Sequence, residues 1–500
     1  MNAVPGSPRR DDPAAVARYA LEALDNAGEA EALPLVEAAA EQIGSDALLW
    51  QCTGLLRRAL GEHALALSAF ERAASLAPAD AKIAQGRAQV ALEAGCDAVA
   101  LFERARALNP GDGSVHLGLA AARFAGADAA RAIDELDALL VRNPAWSEGH
   151  VTLARLRAMM GERDRATMSF ERALAAQPRN LELWQVFVRT LIEGEHHAAA
   201  LAALSHGRAA LQDSMFLAAD EASLLSEVGD LAGADNIFGR MPDNDDEATA
   251  VRRLRHLLRT GRLAPALRII DAWAGRPDAT AIWPYAGPVW RIADDPRQHW
   301  LEPGEQLVSV IDLADRLPDL GGLAARLRAL HLARAQPLDQ SVRGGTQTDG
   351  HLLLRIEPEI RALREAMVAA VETHIAQLPP IDRAHPTLRH RRDRPVRFAG
   401  AWSVRLSGAG HHSNHVHPAG WFSSALYVAV PDEAERGPGD AGWLVLGEPP
   451  AGLGIDLPPT RRVEPRPGRL VLFPSIMWHG TRPFASGERL TVAFDIAPPR

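Results

Sequence analysis

The sequence predicts a chain of two kinds, an α-helical solenoid followed by an antiparallel β-sandwich or barrel, and three observations carry this. Prolines recur at a near-constant interval in the first part, glycines recur between them, and past about residue 335 the helical period gives way to short β-type runs. At 500 residues the chain exceeds one compact core.

Pro78, Pro110, Pro144 and Pro178 fall 32, 34 and 34 residues apart. Eight residues before each stands a large apolar residue: Phe70, Phe102, Leu136 and Phe170. Gly61, Gly95, Gly126, Gly161 and Gly194 punctuate the units at 31 to 35 residues. Each unit reads as helix, glycine turn, helix, then a proline that stops the second helix. In period and punctuation this resembles the tetratricopeptide repeat, strongly over residues 45–200 and in degenerate form to about 335. Such units bury their apolar faces only by stacking, which creates a concave groove suited to a peptide or protein partner, or else to a purely scaffolding role.

The second part opens with PLDQSVRGGTQTDG (337–350), which reads as a polar loop able to reach a barrel mouth, or as a tight turn. A helix is expected over 357–378, then a proline- and arginine-rich connector. Strands are expected at 401–407, 421–430, 442–447, 468–474 and 489–497. The expected domains are therefore 13–335, helical repeats; 336–400, a connecting loop, helix and linker; and 401–500, the β core.

The net charge of −9, mildly acidic and dispersed, disfavours a nucleic-acid partner, because phosphate binding needs a basic stripe. No apolar run has the length of a membrane span and the N-terminus lacks a signal-peptide core, so a cytoplasmic location is expected. Cys52 and Cys96 sit in helical surroundings and imply neither a disulfide framework nor a thiolate metal site.

The chemistry lies between the strands. His415 and His417 are two residues apart in an extended segment and so face one side. His479 follows another strand, and an antiparallel fold can return it beside that pair. Three neutral imidazoles on one face suit iron, copper, nickel or zinc. His411 and His412 are not required by this spacing. Ten residues beyond His479 stands Arg489, with Thr491 on its side of the last strand. An inward guanidinium calls for an anion, and a carboxylate is its natural bidentate partner. A metal beside such an arginine is what a chelating 2-oxo acid requires. Tyr427 and Thr491 are the candidate hydrogen-bond partners for such a co-substrate. Trp421 and Trp478 are candidates for the pocket wall or for core.

The text PLDQSVRGGTQT, GAWSVRLSGAGHHSNHVHPAGWFSSALYVAVP, GRLVLFPSIMWHGTRPF and ERLTVAFD resembles the iron(II)/2-oxoglutarate oxygenases that follow tetratricopeptide repeats in proteobacteria. The resemblance covers about a third of the chain, residues 337–497. It implies a double-stranded β-helix (jelly roll), Fe(II) held by His415 and His479, Arg489 as anchor of 2-oxoglutarate, and oxidative decarboxylation of that co-substrate by molecular oxygen. The wider superfamily carries Asp or Glu where this chain has His417. Either His417 completes a three-histidine face, the favoured reading, or two histidines bind and water takes the third place. The expected function is a dioxygenase acting on a peptide or protein recruited by the repeats. The alternatives are a repeat scaffold or sensor that binds metal or 2-oxoglutarate without turnover, and a cupin-like metal enzyme that does not use 2-oxoglutarate.

Overall fold

The computed structural model describes residues 8–499 except 214, 242–245, 277–278, 318 and 339. They fall into two compact units, one of Met1–Leu136 with Asp349–Arg364, the other of Asp137–Thr348 with Glu365–Pro499.

The first unit is helical. Its helices run Pro13–Asp25, Glu29–Ile43, Ala47–Ala59, His63–Leu76, Ala81–Glu93, Val99–Leu108 and Gly113–Ala125. Asp46, Asp80 and Asp112 each cap a helix start by accepting from backbone N–H groups of the first turn, which satisfies donors no helix can pair itself. The helices ending at Leu76 and Leu108 stop two residues before Pro78 and Pro110. Phe70 and Phe102 are fully buried. Opposite them stand glycines, because a Cβ at Gly86 would lie 2.4 Å from the Phe70 ring and one at Gly118 would lie 2.2 Å from the Phe102 ring. The pairing of a phenylalanine on one helix with a glycine on the next is therefore the packing rule of the repeat. The segment Asp349–Arg364 joins this unit through Ile356, whose N–H donates to Ala94 at 3.0 Å.

The second unit begins with helices of the same kind, among them Ser147–Met159, Leu181–Glu193, His197–Leu211, Ala218–Val228, Glu247–Arg259 and Trp283–Ile292. It continues into nine strands among the described residues: β1 Ser309–Asp312, β2 Val342–Gln347, β3 Phe398–His412, β4 Phe422–Ala429, β5 Leu444–Leu446, β6 Arg461–Val463, β7 Arg469–Pro474, β8 His479–Thr481 and β9 Glu488–Ile496. Every pair is antiparallel, in a larger sheet ordered β1-β7-β4-β9-β3-β2 and a smaller one ordered β6-β5-β8. Tyr427, Val471 and Phe473 of the first sheet pack with Leu444, Leu446 and Val463 of the second in one core.

Two strands lie where the sequence suggested otherwise. Residues 309–312, within the stretch taken as degenerate helices, form β1 and extend the sheet edge along β7. The RGGTQT segment is not a free loop but β2, paired to β3 with a bulge between Arg343 and Gly345. A Cβ at Gly345 would sit 2.4 Å from the Arg405 carbonyl, so the glycine allows the close approach. The helices also buttress the sheets. Trp478 and Leu453 share a core cluster with Trp273, Trp283, Tyr285 and Trp290, and Trp478 donates to the Pro284 carbonyl at 2.7 Å. Arg291 donates to the Gly447 and Pro458 carbonyls at 2.6 and 2.7 Å, fixing the loop that follows β5.

Candidate metal and oxo-acid site

His415 lies just past β3 and His479 opens β8, and their backbones exchange both hydrogen bonds of an antiparallel bridge, at 2.9 and 3.0 Å. That bridge needs Gly480, where a Cβ would fall 2.0 Å from the Asn414 side-chain oxygen. His417 is fixed two residues on by its N–H donating to Ser475 at 2.9 Å. The backbone thus delivers all three imidazoles to one point. A ligand atom of each lies within 4.8 Å of the others, a geometry that could hold a metal ion.

The tautomers follow from what Nδ1 meets. His415 Nδ1 donates to the Ser413 carbonyl at 2.8 Å, and His479 Nδ1 to the Met477 carbonyl at 3.0 Å. A carbonyl can only accept, so both rings carry the proton on Nδ1 and have their lone pair on Nε2. His417 Nδ1 meets Asp495 Oδ2 at 2.5 Å, and Ser423 donates to the other carboxylate oxygen at 2.6 Å. A carboxylate behind an imidazole orients the ring and raises its basicity as a ligand. Burial, reinforced by neighbouring His417, lowers the pKa of His415 to about 3. Burial likewise holds His479 and His412 well below the ordinary range, so these rings are neutral.

Arg489, Thr491 and Asp495 alternate along β9 and face the same cavity as the imidazoles, together with Gln347, Trp402 and His412. Arg489 is 2% exposed. Its Nη1 donates to the Gly442 carbonyl at 3.0 Å, while Nε is buried without a hydrogen-bond partner. Among the described residues no carboxylate pairs with it. Burial pulls its pKa down, the mark of a cation lacking its counter-charge. Tyr427, a candidate co-substrate partner, belongs to the core between the sheets, with its ring 4.9 Å from the Arg489 guanidinium carbon and its hydroxyl buried without a hydrogen-bond partner. Trp478 is likewise core, and Trp421 is buried with its indole N–H donating to the Thr387 carbonyl.

Three residues of this cavity escaped the sequence. Asp495 could have been found by continuing the period of two from Arg489 and Thr491. His412 had been set aside, yet its Nδ1 lies 3.0 Å from Ser341 Oγ, which also stands 3.2 Å from His415 Nε2. No spacing signal links Ser341 to a histidine 71 positions later.

Residues 400–495 match the family model described as "Putative 2OG-Fe(II) oxygenase". No curated protein matches this chain. Solved structures similar to the helical part include MamA from Desulfovibrio magneticus RS-1, residue 41 to its end, at 16% identity and TM-score 0.30, covering 35% of this chain and 98% of that one. Another is YrrB, titled a TPR protein with an unusual peptide-binding site, at 20% identity and TM-score 0.25, covering 36% and 94%. The MamA form labelled AMB-1 aligns at 20% identity and TM-score 0.27 over 32% of this chain and 94% of its own. No helix among the described residues is long and apolar enough to cross a membrane.

Proposed function

We propose that this chain is an iron(II)- and 2-oxoglutarate-dependent oxygenase that acts on a polypeptide, with His415, His417 and His479 holding the iron and Arg489 holding the co-substrate. The observation that carries the reading is the buried Arg489 guanidinium without a carboxylate partner, on the wall of the cavity that also receives three convergent imidazoles. A structural arginine would have brought its own anion, since an unpaired buried charge is strongly destabilising.

The residues fit the group. Three imidazole donors, each with Nδ1 engaged behind the ring, suit a divalent first-row metal, and one carboxylate behind His417 supplies negative charge nearby. The strand placement supports a double-stranded β-helix: β3, β4, β7 and β9 share one sheet, while β5, β6, β8 and the His415 bridge form the other, so successive segments alternate between layers except at the β5–β6 pair.

When bound, iron with 2-oxoglutarate supplies oxidative decarboxylation to succinate and carbon dioxide, the two electrons of the oxo acid activating molecular oxygen. The chain's own residues do the rest. Arg489 fixes the distal carboxylate, with Thr491 beside it as a hydroxyl donor. Leu444 and Phe473, the latter with its ring 4.6 Å from that of His479, give the cavity an apolar wall that disfavours water. Ser341 Oγ stands between His412 Nδ1 and His415 Nε2, at 3.0 and 3.2 Å, so its single hydroxyl hydrogen can serve only one of the two rings at a time.

Iron-dependent formation of succinate from 2-oxoglutarate in air tests the reading. The wild-type protein should show slow turnover even without its substrate, and Arg489→Ala and His479→Ala should abolish it. No succinate from a protein that binds both iron and 2-oxoglutarate would favour a sensor without turnover.

A further inference from the structure

A groove of about 620 Å3 lies against the larger sheet, in the same unit as the imidazole cavity but apart from it. One wall carries Arg405 and Ser407 of β3 with Glu488 of β9; the other carries Arg163, Arg334 and Gln336. Glu488 turns into this groove where its neighbour Arg489 turns into the imidazole cavity, as alternation along a strand requires. The second wall is gathered at the end of helix Ser147–Met159. The Met159 carbonyl accepts from the backbone N–H of both Arg334 and Ala335, at 2.8 and 3.0 Å. Arg163 follows shortly after that helix and donates to the Gln336 side-chain oxygen at 3.1 Å, while the Gln336 amide donates to the Val342 carbonyl of β2 at 3.1 Å.

The charges do not balance. Among the described residues that line the groove, Glu488 is the one carboxylate, and it is already shared: Arg405 Nε donates to one oxygen at 2.6 Å and Arg328 Nε to the other at 2.8 Å. Arg163 has a neutral partner in Gln336, and neither Arg163 nor Arg334 makes an ion pair among the described residues. Three lining arginines against one carboxylate leave two positive charges in surplus. That is a spot of charge, too small to follow a nucleic-acid backbone.

The chemistry of the complement follows from number and direction. One carboxylate offers a single negative charge and two oxygens in one plane. A phosphomonoester near neutral pH offers close to two charges and three acceptor oxygens in a tetrahedral array. Guanidinium groups arriving from opposite walls can each meet a different oxygen of such an array, and arginine's planar fork pairs with phosphate bidentately. The volume exceeds what a phosphoryl group fills, and Ala335 and Leu406 add apolar lining for an attached carbon skeleton.

We propose that this groove is a binding site for a phosphomonoester, its dianion held between Arg163 and Arg334 on one wall and Arg405 on the other. The site is independent of the oxygenase reading.

Calorimetry on the full chain at low salt tests this with N-acetyl-O-phosphoserine amide and N-acetylglutamate amide, which share a blocked backbone and differ in the anion. The phosphomonoester should bind at least about tenfold more tightly than the carboxylate. Arg163→Gln and Arg334→Gln should each weaken it by about fivefold, the upper effect of one exposed ion pair, and the double variant should erase the preference. Glu488→Gln, which removes the competing carboxylate from Arg405, should strengthen it. Opposite shifts within one cluster exclude misfolding as the cause. Binding should persist in Arg489→Ala, because that arginine lines the other cavity. Equal affinity for the two ligands, a preference that survives the double arginine variant, weaker binding in Glu488→Gln, or loss of binding in Arg489→Ala overturns the proposal. Inorganic phosphate binding as tightly as the ester overturns the assignment of an organic ligand. Glycerol 3-phosphate titrated beside a blocked decapeptide of Gly, Ser and Ala with one phosphoserine separates the sources: the tighter ligand shows whether the ester is free or carried on a polypeptide.

Discussion

Asp495 holds His417 from behind, and its own second oxygen is held by Ser423. Replacing it with Asn keeps the shape but removes the charge that favours a donating, electron-rich ring. Metal affinity should fall by about 10–100-fold, the usual effect of losing such a partner. Affinity for 2-oxoglutarate in the metal-saturated protein should change far less, because Asp495 does not meet Arg489. Competition with a chromogenic chelator checks the first and calorimetry the second; undiminished metal affinity in Asp495→Asn would remove it from the site. At this scale the sequence revealed what followed simple periods. Residues two apart in strands placed His415 with His417 and Arg489 with Thr491. It could not reveal Ser341 or His412, whose meeting depends on β2 lying against β3.

Among the elements, the helical pairs were legible because their punctuation is repeated, and repetition averages out local ambiguity. The same repetition shows in Gly54, Gly86 and Gly118, 32 residues apart, each facing a phenylalanine. Gly118→Val should therefore destabilise the first unit by about 1–3 kcal/mol through overpacking. In the Phe102→Ala background the same change should be much milder, since the ring it strikes is gone. Thermal melts of the two single variants and the double variant decide this, and strict additivity would contradict it. β1 and β2 were not legible: β1 has only four residues, and β2 carries two glycines in place of apolar alternation. Their tethers have a pH signature. His374 meets Ser309 of β1 at 2.7 Å, and His331 meets Thr346 of β2 at 2.8 Å. Burial lowers both pKa values to about 4. The unfolded chain then binds protons first as pH falls, so their contribution is complete above about 6.5 and drains away toward 4. Between pH 7 and 5 each should cost about 1–2 kcal/mol of stability. The melting temperature should drop over that range, and less so in His374→Phe.

For the molecule as a whole, the β core does not stand alone in sequence. β1 and β2 come from before residue 348, and the tryptophan cluster that packs on Trp478 comes from 273–300. A fragment of residues 401–500, the expected core, loses both sheet edges' partners and that cluster, and should fail to fold or bind metal. Circular dichroism and metal content of the fragment check this; a folded, metal-binding fragment would show that the helices are dispensable. The composition change near 335 marked where periodicity switches, which is a different thing from where the chain's packing divides.

The central claim is that iron and 2-oxoglutarate meet in the cavity of His415, His417, His479 and Arg489. Anaerobic titration of the iron(II)-loaded full chain with 2-oxoglutarate tests it most directly, because a chelated oxo acid gives a visible metal-to-ligand charge-transfer band. The account predicts a saturable band in the wild-type protein. In Arg489→Ala the half-saturating concentration should rise by at least about 100-fold, given two charge-assisted bonds of about 1.5–3 kcal/mol each and 1.4 kcal/mol per tenfold. Iron affinity should be unchanged. An iron-loaded protein that develops no band, or an Arg489→Ala protein that titrates like the wild type, would contradict it.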